Sequence, residues 1–214
     1  MSKLSVIIRC RDEERWIGHA IQSVLDFVDD PEILVINNKS KDDSLLIVRQ
    51  FAGFDTVRVL DIDDYSPGKA LNLGVQEATS DLILVLSAHC VLKKFDLPNI
   101  AKALSTHKAV FGKQHPIYQG RKITPRYLWA NFHDREEENA YSKLEDRLFL
   151  HNGMCVYRRD ILLEHPFDEQ LAGKEDRYWA RDIVKAGYTY LYSPSLMECD
   201  HHWTTDGNTW KGIG

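Results

Sequence analysis

Leu82 to Cys90, LILVLSAHC, places five consecutive apolar residues directly before Ser87, Ala88, His89 and Cys90. Ser80-Asp81 precede the run and a polar cluster closes it, the pattern of a strand covered on both faces by helices. In open α/β sheets, ligands sit in the crevice at the carboxyl ends of the strands. The stretch therefore predicts a central strand that delivers chemistry at its end, with His89 and Cys90 as candidates for a site.

Working outward, the same grammar repeats. Leu4 to Ile8 (LSVII) reads as a short buried strand, and from Glu13 the apolar residues Trp16, Ile17, Ala20, Ile21, Val24 and Leu25 recur at helical spacing. Pro31 punctuates, Ile33 to Ile36 forms a second strand, and Asn37 to Ser44 (NNKSKDDS) is a turn rich in helix-capping types. Leu45 to Phe51 fits a second helix, Val57 to Leu60 a third strand, and Pro67-Gly68 opens a third helix through Ala78. This alternation predicts an α/β fold with a central, mostly parallel sheet flanked by helices and joined by right-handed crossovers.

Downstream, Leu97 to Ser105 predicts a helix and Ala109 to Gly112 a strand; the periodicity then fails. Residues 115 to 150 carry Tyr118, Tyr127, Trp129, Phe132 and Tyr141 among acidic runs, which suggests one or two partly exposed helices. Cys155 to Tyr157 returns to the sheet, Arg177 to Ala186 forms a helix ended by Gly187, and Tyr188 to Tyr192 forms a late strand. Residues 204 to 214 (TTDGNTWKGIG) have no apolar period and read as a mobile tail.

Composition narrows the function. At 214 residues the chain can bury a real core as one α/β unit. Lys plus Arg at 27 against Asp plus Glu at 32 gives a net charge of -5 without a long basic run, which argues against general nucleic-acid binding and for a smaller partner. Cysteines 10, 90, 155 and 199 make no CxxC pair, and the N-terminus lacks a signal-peptide apolar region, so a reduced, cytoplasmic location is expected. No apolar stretch approaches the roughly 18 to 20 residues that cross a bilayer, so any membrane contact is expected to be peripheral.

The unusual polar residues fall just after predicted strands: Arg9 and Arg11, Asn37 and Asn38, Ser87 to Cys90, and Asp200 to His202. Such a pattern describes one rim of one sheet and a shared ligand cleft. Lys69 sits at the start of the third helix, where backbone N–H groups and the helix dipole favour a diphosphate; a solvated lysine is the alternative. Glu175-Asp176 precedes an amphipathic helix, where carboxylates complement the dipole. Adjacent residues of a strand face opposite ways, so only one of His201 and His202 can face the cleft.

SVIIRCRDEERWIGHAIQSVL, EILVINNKSKDDS, GKALNLG, LVLSAHC, GKEDRYWARDIVKAGY and HHW resemble, in order and spacing, the successive blocks of family 2 glycosyltransferases, over nearly the whole chain. The resemblance implies one GT-A (Rossmann-like) domain over 1–203, with a nucleotide-sugar-binding half at 1–112 and an acceptor-binding half at 113–203. It also implies inverting transfer from a nucleotide-sugar donor to a sugar or glycolipid acceptor, commonly in polysaccharide or glycoconjugate synthesis. In that frame Arg9 and Arg11 line the nucleoside pocket, Lys69 and Asn72 face the donor, and Asp176 is the general base that an inverting transfer needs. Glu175 orients Asp176 or binds acceptor. Asn38 stands where the family usually has an aspartate that accepts from uracil; its amide can accept or donate, and capping the next helix is the other reading of it. Ser87, Ala88 and His89 stand where the family usually has Asp-x-Asp. Neither carboxylate is present, yet a neutral imidazole at His89 can ligate a divalent cation and suits Mn²⁺ better than Mg²⁺; a hydrogen bond to its neighbours or the donor is the alternative. His202 matches a family histidine that completes the metal or phosphate site.

Two rivals remain. A nucleotidyltransferase that makes the donor commonly carries a glycine-rich loop after its first strand, and RCRDEER has no glycine. A non-catalytic sugar or nucleotide binding domain accounts for the missing aspartates, while Glu175-Asp176 favours an enzyme.

Overall fold

The computed structural model of the chain describes residues 3–51, 56–118, 121–122 and 127–203; the tail expected at 204–214 lies outside them. The first half runs β1 (Leu4–Cys10), α1 (Ile17–Phe27), β2 (Glu32–Asn37), α2 (Ser44–Gln50), β3 (Val57–Asp61), α3 (Pro67–Glu77) and β4 (Leu82–Ser87). The second continues with β5 (Cys90–Phe95), α4 (Leu97–Ala103), β6 (Ala109–Phe111), β7 (Lys113–Tyr118) and β8 (Arg121–Lys122), then a 3₁₀ turn at Tyr127–Asn131. The short strands β9 (Glu137–Glu138), β10 (Tyr141–Ser142) and β11 (Arg147–Leu148) follow, then β12 (Met154–Arg158), α5 (Arg159–Glu164), α6 (Glu175–Lys185), β13 (Leu191–Tyr192) and β14 (Met197–His202).

The main sheet has the order β3-β2-β1-β4-β12-β6-β13-β9. β1, β2, β3 and β4 are parallel, β12 is antiparallel to both β4 and β6, β13 is parallel to β6 and β9 opposes β13. All strands but β12 and β9 thus point one way, and the mostly parallel sheet is present. Apolar residues on both strand faces explain it: Ile83 and Val85 of β4 pack with α3 residues Ala70, Leu71 and Val75, while Leu84 and Leu86 pack with α1 residues Ile17, Ile21 and Val24. A second sheet, β5-β14-β7-β8, stands beyond the end of β4.

Residues 115 to 150 depart from the expected helices. They form β7 to β11 and the 3₁₀ turn. Trp129 and Phe132 are buried and form an aromatic cluster with Phe149 and His151. The acidic side chains are drawn into bonds of their own: Glu136 accepts from the hydroxyls of the distant Ser193 and Ser195, and Glu137 from the Tyr141 N–H. The last takes a backbone N–H that a helix ladder would need. The chain end also differs, because Asp200, His201 and His202 lie within β14 instead of following the last strand.

Gly74 is where α3 closes on β1. A Cβ there would lie 2.7 Å from Ile7 Cγ2 and 2.8 Å from Cδ1, and Ile7 is fully buried. Gly74→Ala is expected to cost about 1–3 kcal/mol by overpacking, outweighing the gain of about 1 kcal/mol in helix propensity. Chemical denaturation measures it, and a stabilised variant would contradict this packing.

Candidate active site

The carboxyl ends of the parallel strands open on a cleft of about 250 Å³. Its walls come from Arg9 and Cys10 at the end of β1, Arg11 and Glu13 just after it, Asn38 after β2, Tyr65 before α3 and Pro67 at its start, Ser87 at the end of β4, and Ala88 and His89 just after it. Because β12 runs against its neighbours, the residues that precede it, His151, Asn152 and Gly153, reach the same rim. Ala172 to Arg177 and His201 complete the lining.

Two carboxylates stand at the first turn of α6, immediately after Lys174, whose φ of 62° is left-handed. Glu175 Oε1 accepts from Arg9 Nη1 at 2.9 Å. Burial works against the Arg9 charge, but Glu175 outweighs it and holds the guanidinium above its ordinary value. Asp176 is only 4% exposed. Its Oδ2 accepts from the Asn152 N–H at 2.9 Å and from Arg177 Nη1 at 2.8 Å, and its Oδ1 accepts from the Arg177 N–H at 2.8 Å. A carboxylate has about four acceptor positions, so these three bonds leave one, on Oδ1. Burial pushes the Asp176 carboxyl up, but Arg177 and the Asn152 N–H overcome it and keep it below the usual carboxylate range. Arg177 also approaches Glu145 Oε1 at 3.5 Å and lies 4.8 Å over the Phe149 ring.

Histidines line the same cleft. His89 Nδ1 lies 2.9 Å from Glu13 Oε1, so it donates to the carboxylate and Nε2 is the nitrogen left for the cleft. The His201 ring lies 4.8 Å from that of His89. Burial, then Arg177, drops His151 to about 3, and burial first also drops His201 well below the ordinary histidine value, so both are neutral at pH 7. Among the described residues no three His, Cys, Asp or Glu side chains form a full metal-holding group. What is present is a pair of imidazoles on one wall and the Glu13 Oε2 and His201 Nε2 atoms, both buried without a hydrogen-bond partner.

Of the residues picked from sequence, Arg9, Arg11, Asn38, Ser87, Ala88, His89, Glu175 and Asp176 share the cleft. Asn37, not Asn38, holds the turn after β2: its Oδ1 accepts from the Ser40 N–H at 3.1 Å. Three residues lie elsewhere. Lys69 is paired with Asp64 outside the cleft lining. Asn72 clasps the segment before α6, donating to Phe167 O and Glu169 Oε1, both at 2.9 Å, and accepting from the Phe167 N–H at 3.0 Å. His202 is turned away and stacked on Trp16 at 3.7 Å between ring centroids. The strand period explains the exchange of His202 for His201: Met197, Cys199 and His201 are the buried positions of β14. That alternation, Met-x-Cys-x-His, is legible in the sequence once the strand is started at Met197. Glu13, His151, Asn152 and Arg177 were not anticipated; only Glu13, in RCRDEER right after the first strand, carries a positional signal.

An open α/β sheet with a polar cleft at its strand ends defines the class of folds whose ligands sit in that crevice. The family can be stated as well. Residues 5–165, more than half of the chain, match the family described as Glycosyl transferase family 2, and the chain belongs to that family. Glycosyltransferase AglE of Haloferax volcanii is 23% identical over 173 residues, covering 78% of this chain and 56% of that protein. The mannosyltransferase PcManGT from Pyrobaculum calidifontis, solved with GDP-Man and Mn²⁺, superposes with a TM-score of 0.74 at 19% identity, covering 98% of this chain and 60% of that one. S. aureus TarS 1-349 in complex with UDP-GlcNAc gives 0.71 at 18% identity, covering 96% and 60%. The fold is therefore that of GT-A glycosyltransferases, and the chain spans less than two thirds of the length of each of these relatives.

Because Arg177 and Asp176 are both buried, Arg177→Met leaves Asp176 without its paired cation, while Glu145 retains Arg147. The expected cost at pH 7 is about 3–5 kcal/mol, read by denaturant titration. The Asp176 carboxyl is depressed in the fold, so its contribution is fully present above the unfolded value of about 3.9 and is lost as pH falls through the lower folded value. The deficit of the variant should therefore shrink as pH falls below the unfolded value, and a deficit that does not change with pH would contradict this origin.

Proposed function

We propose that the chain transfers a sugar, with inversion, from a nucleotide-sugar donor to a hydroxyl of a sugar or glycolipid acceptor, in polysaccharide or glycoconjugate synthesis. One observation carries it: Asp176 is buried, ionised and bonded through three of its four acceptor positions, with the last on Oδ1 and the side chain in the cleft wall. A single carboxylate that takes a proton while the acceptor oxygen attacks is what inverting transfer requires, with no covalent intermediate. In this reading the acceptor O–H proton passes to Asp176 as the oxygen bonds to the anomeric carbon, and the bond from that carbon to the donor diphosphate breaks.

The remaining residues divide the donor between them. Arg9 and Arg11 stand beside the nucleoside, and Asn38, free of a capping role in the turn after β2, can meet the base with either end of its amide. Arg9 also fixes Glu175 and so keeps that carboxylate from crowding the base. Ser87 and Ala88 approach the diphosphate with small side chains. A divalent cation would be held by the histidine pair: His89 Nε2 and the partnerless, buried His201 Nε2 are imidazole donors that suit Mn²⁺ better than Mg²⁺, with the remaining ligands left to the donor diphosphate and water. When bound, it would neutralise charge on the departing diphosphate; His202, stacked on Trp16, is not in this set. Cys10, Cys90, Cys155 and Cys199 are free and buried, in keeping with a reducing, cytoplasmic setting. Among the described residues no helix is long and apolar enough to cross a membrane.

Asp176→Asn is expected to lower transfer by about 10²–10⁴-fold while calorimetry shows nucleotide-sugar binding retained; wild-type turnover would remove Asp176 from the role of base. Binding without slow release of nucleotide by the wild-type protein, across a nucleotide-sugar panel, would instead favour a binding module. For the cation, His89→Ala should abolish Mn²⁺ dependence of activity. Undiminished activity in excess chelator would take the metal out of the mechanism.

A further inference from the structure

Gln114, on β7, is 1% exposed and lies between two buried histidines. Its carboxamide is 3.1 Å from His151 Nδ1 on one side and 2.8 Å from His201 Nδ1 on the other. Both Nε2 atoms are buried without a hydrogen-bond partner. One fixed donor decides every proton in this row. The backbone N–H of Gly153 lies 2.9 Å from His151 Nδ1, and a backbone N–H can only donate. His151 Nδ1 is therefore the lone pair of that neutral ring, and its proton sits on Nε2. The end of the Gln114 amide that faces a lone pair must be its NH₂, so its carbonyl oxygen faces His201. A carbonyl can only accept, which puts the His201 proton on Nδ1 and leaves a lone pair on Nε2.

We infer that Gln114 is a positioning residue that relays the polarity of one ring to the other: the Gly153 N–H makes His151 Nε2 a fixed N–H donor, and the Gln114 amide, oriented by that ring, makes His201 Nε2 a fixed lone pair. The ligand classes follow from this polarity. His151, a cleft residue near Arg9 and Asp176, would donate to an oxygen of a bound phosphate or sugar. His201, beside His89, would hold a divalent cation; this second half rests on the cation proposed above, and the first does not. The local chain is shaped for the arrangement. A Cβ at Gly153 would lie 2.4 Å from Gln114 Oε1 and 2.7 Å from Nε2, so a side chain there must displace the amide.

The test uses the full chain, metal-free, with ¹⁵N-labelled histidine. Long-range ¹H–¹⁵N correlations separate protonated from bare ring nitrogens, and His151→Gln and His201→Gln assign the signals. The wild-type protein should show His201 protonated on Nδ1 and bare on Nε2, and His151 the reverse. Gln114→Leu and Gly153→Ala should both give mixed tautomers at His201 while His151, still bonded to the residue 153 N–H, keeps its proton on Nε2, with Mn²⁺ affinity by calorimetry reduced about 10–100-fold. Gly153→Ala keeps Gln114 in the chain and carries the test should Gln114→Leu fail to fold. A wild-type His201 protonated on Nε2, or variants that keep the wild-type pattern at His201, would overturn the inference. Opposed tautomers whose His201 half scrambles in the variants, in a wild-type protein that binds no Mn²⁺, would uphold the role of Gln114 and reject the cation.

Discussion

The backbone N–H of Asn152 donates to Asp176 Oδ2 across 2.9 Å, and the cleft is arranged around that bond. A buried carboxylate is tolerated when it is paired and hydrogen-bonded. Here two of its bonds come from main chain, the Asn152 and Arg177 N–H groups, which fix the carboxylate more firmly than side chains would. The Asn152 segment is itself anchored on both sides. The Gly153 carbonyl accepts from the Ser87 N–H at 3.0 Å, and the Tyr157 hydroxyl donates to Asn152 Oδ1 at 2.5 Å. One turn leading into β12 thus joins the end of β4, the first turn of α6 and the His151 ring.

That arrangement exists because β12 enters the sheet backwards. A parallel strand between β4 and β6 would have presented its carboxyl end to the cleft and carried residues 151–153 to the far side. Running antiparallel, it presents its amino end. The local sequence bears no trace of this choice: MCVY is buried, and a continuous buried run of this kind carries no signal of strand direction. Long-range packing made the decision, which is why Asn152 and His151 could not be found by reading along the chain.

Other parts were legible for equally physical reasons. Strands buried on both faces must be apolar throughout, so β1, β2 and β4 declared themselves, and with them the rim that holds Arg9, Asn38 and His89. Helices packed on one side must be amphipathic, so α1 and α6 did too, and Glu175-Asp176 followed. Legibility ended where side chains rather than periodicity set the backbone, as in residues 115 to 150, where aromatic packing and carboxylate bonds replace any repeat. It also ended where a residue could serve two ends. Asn72 and Lys69 sit in a block that matches a family pattern, but the amide of Asn72 is spent on Phe167 and Glu169, and the charge of Lys69 on Asp64. At the last strand the period of two was the right rule, and starting the strand at Met197 decides which histidine it turns inward.

The bonds that hold the cleft together are among the longest in sequence. Arg9 and Glu175 are 166 residues apart, Asn72 and Phe167 are 95 apart, and Gln114 and His201 are 87 apart. No contiguous fragment contains the whole set. Contacts of such separation form late, after the loop entropy between them has been overcome. The cleft therefore has no existence as a local unit: it is completed only when both halves of the chain have docked, and it is lost with the first cooperative opening of either half.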